Sequence, residues 1–244
     1  LITPVPMSIA RHLCEGLRNE VICQETSIRE LVPATLLSCR EAMSKALQKV
    51  KQQEVDSCWS DAGELRDPEW LACGDAPYAG GTVLECNYKV VLDCPAEDVW
   101  KVIRRVGGQT GWFYADRLWG LRGMLDTLLG GVGLRRGRRH PEQIRVGDAL
   151  DFWRVLVVQE NRRLQLFAEM KMPGEAVLQF QIEPLEHNRS ELRQISRFLP
   201  RGLAGILYWY SLYPVHKFIF KGMLEKIAQN VGCRVHSRPQ PFSR

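Results

Sequence analysis

Leu84-Glu85-Cys86-Asn87-Tyr88-Lys89-Val90-Val91-Leu92-Asp93-Cys94-Pro95-Ala96-Glu97-Asp98-Val99-Trp100 decides how this chain is read. Leu84, Cys86, Tyr88, Val90 and Leu92 alternate with Glu85, Asn87, Lys89 and Asp93, which is the period of a half-buried strand. Cys94-Pro95 stops the strand, and Pro95 suits the first turn of a helix. Val99, Val102 and Ile103 then share one helical face, which ends at Gly107-Gly108.

Downstream, residues 115–129 read as a second helix, with Leu118, Leu121, Leu125 and Leu129 in register and Gly130-Gly131 closing it. Four strand-length stretches follow, at 148–159, 163–172, 175–185 and 190–199. Glu160-Asn161, Pro173-Gly174 and Glu186-His187-Asn188 separate them. Turns this short imply antiparallel hairpins. Leu178, Phe180 and Ile182 mark an inner face. Residues 202–230 read as a long helix, with Pro214 placed to kink or split it. The tail from Arg234 is polar and expected to fray.

Upstream, residues 7–17 carry Ile9, Leu13 and Leu17 at helical spacing. Ser27-x-x-Glu30 fits a capping box for a short turn ending by Pro33. Thr35 can cap a helix running to about Gln53, with Leu36, Leu37, Met43 and Leu47 as its apolar stripe. Residues 54–83 read as a linker or wrapping loop, whose Trp59, Trp70 and Tyr78 suggest packing against something.

From Leu84 the order is strand, two helices, a run of antiparallel strands and a long last helix. Residues 84–232 resemble the START-like (SRPBCC, helix-grip) superfamily in this order, and Val91-Leu92-Asp93-Cys94-Pro95-Ala96-Glu97-Asp98-Val99-Trp100 resembles its usual opening. The implied class is α+β, a curved antiparallel sheet wrapped on a long C-terminal helix with a cavity between them. Further motifs narrow the resemblance to one bacterial subfamily of undefined activity. They are Gly111-Trp112-Phe113-Tyr114-Ala115-Asp116-Arg117-Leu118-Trp119, Val146-Gly147-Asp148, Met172-Pro173-Gly174, Pro200-Arg201-Gly202 and Tyr208-Trp209-Tyr210 with Pro214-x-His216.

In that subfamily the domain follows an NAD(P)-binding Rossmann domain of the atypical short-chain dehydrogenase type. Thr3-Pro4-Val5-Pro6, residues 15–21 and Arg40-Glu41-Ala42 resemble the end of such a domain. The resemblance therefore implies a helical remnant over 1–53, the grip domain over 84–232 and a tail over 233–244. No glycine-rich turn follows a strand near the start, and the chain begins at Leu1. It reads as the C-terminal part of a longer protein, with no cofactor in this chain and NAD(P) expected only in the missing Rossmann half. The apolar faces of the remnant are expected to be left partly exposed.

Composition sets the outer limits. The chain has 244 residues, 45% hydrophobic and 25% charged. This balance excludes a disordered chain, a collagen-like repeat and a coiled coil. Its net charge of +5 is unevenly spread. Residues 1–80 hold 8 basic against 12 acidic side chains, and the remainder holds 25 against 16. Eight cysteines occur without a C-x-x-C pair. The start, an apolar–polar mix with Pro4 and Pro6, is no signal peptide. The cysteines therefore read as free thiols in a reducing, cytoplasmic compartment, and structural zinc is not expected.

Several motifs invite function and fail on context. Gly131-Val132-Gly133-Leu134-Arg135-Arg136-Gly137 matches a dinucleotide loop, but a helix precedes it where a strand is needed. A flexible loop is the better reading. Tyr213-x-x-x-Lys217 matches the dehydrogenase Y-x-x-x-K without a nucleotide fold around it. Arg135, Arg136, Arg138, Arg139 and His140 lack interleaved aromatics, so nucleic acid is not expected. A solvated loop is the first reading of this cluster, and contact with an anionic group the next. No G-x-S-x-G, H-E-x-x-H or P-loop is present.

The aromatics carry more. Trp112, Tyr114 and Trp119, with Trp153 on a strand and Tyr208 and Trp209 on the last helix, are the candidate lining of a ligand cavity. They could equally fill the core. Asp116, Arg154 and His216 are the candidates to orient a polar end of the ligand; Asp126, Asp151 and Arg197 are further polar candidates. The expected function is binding of a hydrophobic small molecule or lipid, presented to the NAD(P)-binding half or regulating it. The alternatives are a closed-core interaction or dimerisation module and a helix-grip cyclase or dehydratase. Residues 202–215 hold no charge and are too short to span a bilayer. Peripheral membrane contact through this helix is a further option.

Overall fold

The computed structural model describes residues 7–20, 22, 27–32, 34–52, 68, 70, 82–134 and 137–243. Two compact units divide the chain, Leu1–Glu54 and Val55–Arg244.

The first unit is helical: α1 (Met7–Gly16), α2 (Ile28–Leu31) and α3 (Cys39–Gln52). The start of α3 corrects the expected cap at Thr35. Ser38 and Glu41 form a reciprocal box instead, Ser38 N donating to Glu41 Oε2 at 2.8 Å and Glu41 N to Ser38 Oγ at 3.3 Å. The box satisfies amides that the first turn cannot. Leu36, Leu37, Met43 and Leu47 are exposed, as are Ile9, Leu13 and Leu17 on or just beyond α1.

The second unit holds one seven-stranded antiparallel sheet. Its strands are β1 (Leu84–Leu92), β2 (Ala149–Leu150), β3 (Trp153–Gln159), β4 (Arg163–Ala168), β5 (Gly174–Leu185), β6 (Arg189–Pro200) and β7 (Val235–Pro241). The order across the sheet is β2-β3-β4-β5-β6-β1-β7. Between β1 and β2 lie α4 (Ala96–Ile103) and α5 (Asp116–Leu128), and α6 (Gly202–Val231) follows β6. The class is α+β, a helix-grip arrangement in which the long last helix covers one face of the sheet.

Register assigns the faces. Cys86, Tyr88 and Val90 pair with Ser196, Gln194 and Leu192, which pair in turn with Leu178, Phe180 and Ile182. All nine are buried. This is the inner face, against which α6 sets Trp209, Ile219, Phe220 and Met223. The outer face carries an ion-pair ladder, with Lys89 to Glu191 at 3.0 Å and Arg193 to Glu191 at 2.6 Å. Trp70 reaches the sheet from the wrapping segment and donates to Glu175 Oε2 at 2.8 Å. Trp59 and Tyr78 lie outside the described residues.

Four expectations are corrected. Residues 148–159 are not one strand but a hairpin, because Asp151 takes a left-handed conformation (φ 54°), which aspartate tolerates better than most residues. The helix α5 buries Trp119, Gly123 and Asp126 and leaves the leucine row Leu118, Leu121, Leu125 and Leu129 exposed. The two rows have the same period on opposite sides of the helix, so periodicity alone could not choose between them. Pro214 does not split α6, which runs unbroken with Trp209 and Phe220 packed into the core on either side. The tail is not frayed: β7 pairs along β1, and Val91 N donates to Ser237 Oγ at 3.1 Å. Pro239 and Pro241 are admissible there because β7 is an edge strand.

Candidate functional site

Two aromatic groups flank the interior of the grip, and they differ in kind. The first is a closed cluster. The loop before α5 turns through left-handed Phe113 (φ 64°) and Ala115 (φ 57°). Asp116 Oδ1 holds it by accepting Trp112 N at 2.9 Å. Trp112 is thereby driven inward, 2% exposed. It stacks on Phe152 at 6.1 Å and tilts against Trp119 at 5.5 Å and Trp153 at 5.7 Å. Its Nε1 donates to Asp151 Oδ2 at 2.9 Å, and Trp119 Nε1 donates to the Tyr114 carbonyl at 3.2 Å. The Trp112 and Trp119 indole donors are satisfied, whereas that of Trp153, the third indole of the cluster, is buried without a partner.

Asp116 and Arg154 are not brought together with this cluster's interior. Asp116 is an exposed loop clamp. Arg154 pairs with Phe167 in register, one residue out of phase with inward Trp153. Its guanidinium meets Glu169 at 3.0 and 3.2 Å and the Gly147 carbonyl at 2.8 Å.

The second group is on α6. Trp209, Tyr213, His216 and Phe220 follow one another at intervals of four, three and four residues, one stripe of the helix. Trp209 stacks on Phe198 of β6 at 5.5 Å, and Tyr208 tilts against the same ring at 5.9 Å. His216 lies 5.0 Å from Trp209 and 5.5 Å from Phe220. Burial pushes its imidazole down to about 4, so it is neutral at physiological pH. Tyr114 tilts against Phe218 at 5.2 Å. Its ring lies so close to Gly222 that a Cβ there would stand 2.3 Å from it.

Beneath this stripe the sheet presents polar side chains that the sequence reading passed over. Gln194 is fully buried between Tyr88 and Phe180. Its Nε2 and Oε1 both lack a hydrogen-bond partner, the only buried side chain among the described residues with two such atoms. Trp153 Nε1 and His216 Nδ1 are also buried without a partner. Burial raises the Cys86 thiol to about 11 against the opposing pull of Lys217. Burial, then Cys86 and Tyr213, raises the Tyr88 phenol. The signal for Gln194 was available: it shares parity with Leu192 and Phe198, so an inward β6 face carries it with them.

The tempting motifs are absorbed into structure. The Gly131–Gly133 segment folds round Asp126, whose Oδ2 accepts Gly133 N at 2.8 Å and whose Oδ1 accepts Lys171 N at 2.6 Å. A Cβ on Gly131 would stand 2.3 Å from that carboxylate. This corrects the flexible-loop expectation for that part; Arg135 and Arg136 lie outside the described residues. Arg138 and Arg139 are not solvated either. Arg138 donates to the Val106 and Arg104 carbonyls at 2.6 and 2.5 Å, and burial brings it down to about 10. Arg139 pairs with Asp148 at 3.1 Å. Lys217 Nζ sits 4.6 Å over the Tyr213 ring, a cation–π contact away from the phenol oxygen. Arg197 meets Glu85 on the outer face at 3.4 Å. Among the described residues no group of three or more His, Cys, Asp or Glu is placed to hold a metal ion.

Residues 78–223 match the family described as "Protein of unknown function (DUF2867)". The chain belongs to that family. The DUF2867 match takes in the whole sheet except β7, and ends inside α6. No curated protein matches the chain. Solved structures similar to it include the Zhui aromatase/cyclase from Streptomyces sp. R1128, 14% identical over 62% of this chain and 94% of that one, with a TM-score of 0.38. A truncated norcoclaurine synthase from Thalictrum flavum is 12% identical over 63% of this chain and 96% of that one, TM-score 0.37. An HSP90 activator from Plasmodium falciparum is 10% identical over 64% and 99%, TM-score 0.35.

Proposed function

We propose that the DUF2867 domain binds a hydrophobic small molecule or lipid between the inner face of the sheet and α6. The carrying observation is Gln194: a fully buried amide, unpartnered at both polar atoms, on an inner face that is otherwise largely apolar. Leaving a buried donor or acceptor unpaired costs about 1–3 kcal/mol, so the fold forgoes stability at a point where a ligand group would restore it. Trp209, Tyr208 and His216 bound this region from α6. Tyr114 fixes α6 through Gly222.

In the whole protein the domain presents its ligand to an NAD(P)-binding half or regulates that half. The support is the resemblance of residues 1–53 to the end of an atypical dehydrogenase. The cyclase or dehydratase reading has less to draw on. His216 is a buried neutral imidazole, whereas Asp116, Asp126 and Asp151 hold backbone or indole donors.

Peripheral membrane contact has its own observation. Leu203, Leu207, Tyr210 and Phe218 form an exposed row on α6 opposite the Trp209–Phe220 stripe, bracketed by exposed Arg201, Lys217 and Lys221. An apolar row with basic ends suits an anionic interface. Among the described residues no helix is long and apolar enough to cross a membrane.

The test of ligand binding is titration of the chain with medium-chain amphiphiles while tryptophan emission is followed, with Trp209→Phe as the comparison. A saturable change that shrinks in Trp209→Phe is expected. Unchanged emission with every amphiphile, and no organic-extractable compound in the purified protein, would overturn the reading.

A further inference from the structure

The polar lining under α6 shows what kind of ligand head it accepts. Cys86 and Ser196 are register partners, and so are Tyr88 and Gln194. These four side chains make one patch on neighbouring strands. His216 lies above it. From the Trp209–Phe198 stack, His216 is seven residues further along α6, about 10 Å. Gln194 is four residues back along β6, about 13 Å. Both displacements run toward the same end of the domain. There Cys233, just past α6, meets Cys94, just past β1, and Ser190 of β6 donates to the Cys94 carbonyl. Tyr213, about one turn before His216, and Lys217, the residue after it, act electrostatically on Tyr88 and Cys86.

No member of this patch carries charge at neutral pH. The thiol and the phenol are held protonated by burial, and the imidazole is held neutral. Lys217, whose charge acts on Cys86, is exposed and lies over the Tyr213 ring. The charged groups buried elsewhere among the described residues, Asp126, Arg139, Asp148, Asp151, Arg154 and Glu191, are each ion-paired or hydrogen-bonded within the fold. A carboxylate or phosphate brought to Gln194 would lose its hydration, and the exposed Lys217 would replace only part of it. A neutral hydroxyl would instead donate to Gln194 Oε1 and accept from Gln194 Nε2.

We propose that the ligand of this site is an uncharged, mostly apolar molecule whose polar end is a hydroxyl, phenol or enol, held by Gln194 and flanked by Tyr88 and His216. This rests on the ligand-binding reading above and names the ligand class for it. Anionic amphiphiles such as fatty acids and phosphate esters are expected to bind it less well.

Decanol, decanoate and decyl phosphate share one chain and differ in head group, so their dissociation constants isolate the head. Near neutral pH decanol is expected to bind the full chain at least about tenfold more tightly than either anion, the ratio that one well-made hydrogen bond supplies. Gln194→Leu keeps the volume, and is expected to cut decanol affinity by about tenfold while leaving the anions unchanged. The same variant is expected to melt higher than the parent without ligand, because it removes a buried unpartnered amide. That shift also shows that it folds. Tighter binding of decanoate or decyl phosphate than of decanol overturns the proposal and leaves ligand binding standing. Equal loss of all three in a folded Gln194→Leu protein also overturns it. Failure of all three to bind the parent chain overturns the ligand-binding reading itself.

Discussion

Cys94, just past β1, and Cys233, just past α6, place their sulfurs 2.9 Å apart across 139 residues of chain. Cys94 is buried and Cys233 half-buried, so Cys233 is the thiol that an oxidant meets first, and burial, with Cys233 adding to it, pushes the Cys94 thiol up. An external disulfide such as oxidised glutathione is expected to convert the two thiols to a disulfide. Cys233 forms a mixed disulfide first, Cys94 then displaces the reduced leaving thiol, and two hydrogens pass to the oxidant. The product should melt higher than the reduced chain, since a bridge over so long a loop stabilises by about 2–4 kcal/mol. Intact-mass analysis and a melting curve check this, and Cys233→Ser should abolish both changes.

Asp126 ties three segments together: α5, the Gly131–Gly133 turn and the Lys171 amide. Asp126→Ala leaves the buried Gly133 amide and the half-buried Lys171 amide unpaired and is expected to cost roughly 2–4 kcal/mol. Asp126→Asn keeps one acceptor and should lose about half of that. Urea midpoints at constant m-value measure both.

Trp112 and Asp151 form a buried indole–carboxylate bond at 2.9 Å. Trp112→Phe keeps most of the stacked ring surface and removes the donor, with an expected loss of about 2 kcal/mol. In a double-mutant cycle, Asp151→Asn on the Trp112→Phe background should cost less than it does on the parent. Additive losses would show that the two groups are not coupled.

The buried imidazole of His216 sets a pH dependence. Its folded value of about 4 lies below its usual 6.5, so between these values the unfolded chain binds the extra proton and stability rises with pH. The contribution is fully present above about 6.5 and is lost as pH falls toward 4, amounting to about 3 kcal/mol. His216→Phe should flatten this segment of the stability curve, read from denaturation midpoints across the window.

The exposed row on α6 makes membrane contact measurable. Leu203→Glu and Leu207→Glu should each weaken sedimentation with anionic vesicles by roughly tenfold or more. Their melting temperatures should stay close to the parent's, because both positions are exposed.

The fold was readable where pattern and punctuation agree. The β1–Pro95–α4 passage, the turns at Asn161 and Gly174 and the run from Gly202 each pair a period with a breaker, and each element formed there. Reading failed where two faces compete. On α5 a row of four leucines outweighs Trp119, Gly123 and Asp126 in hydropathy, yet the second row is buried because the Asp126 carboxylate answers amides 7 and 45 residues away. Arg138 reads as a solvated charge until the carbonyls at the end of α4 appear beside it. The β7 tail has no hydrophobic alternation, and its pairing comes from the open edge of β1. Gln194 was overlooked for a different reason. A glutamine in a strand rich in Arg and Glu is unremarkable until register shows which way it faces.

The placement of β1 has a consequence for how the domain is made. Lys89 is joined to Glu191, 102 residues later, and the other neighbour of β1 is β7, later still in the chain. At about 5–20 residues per second, a ribosome needs several seconds to deliver β6 after β1, and longer to deliver β7. Throughout that interval β1 is an apolar strand with two open edges, the state in which strands mispair. The Pro95 stop and the immediate start of α4 limit how far a stray partner can extend along it. The domain is therefore expected to complete its sheet only once β7 has left the ribosome, which makes it a slow, chaperone-exposed folder despite its ordinary size.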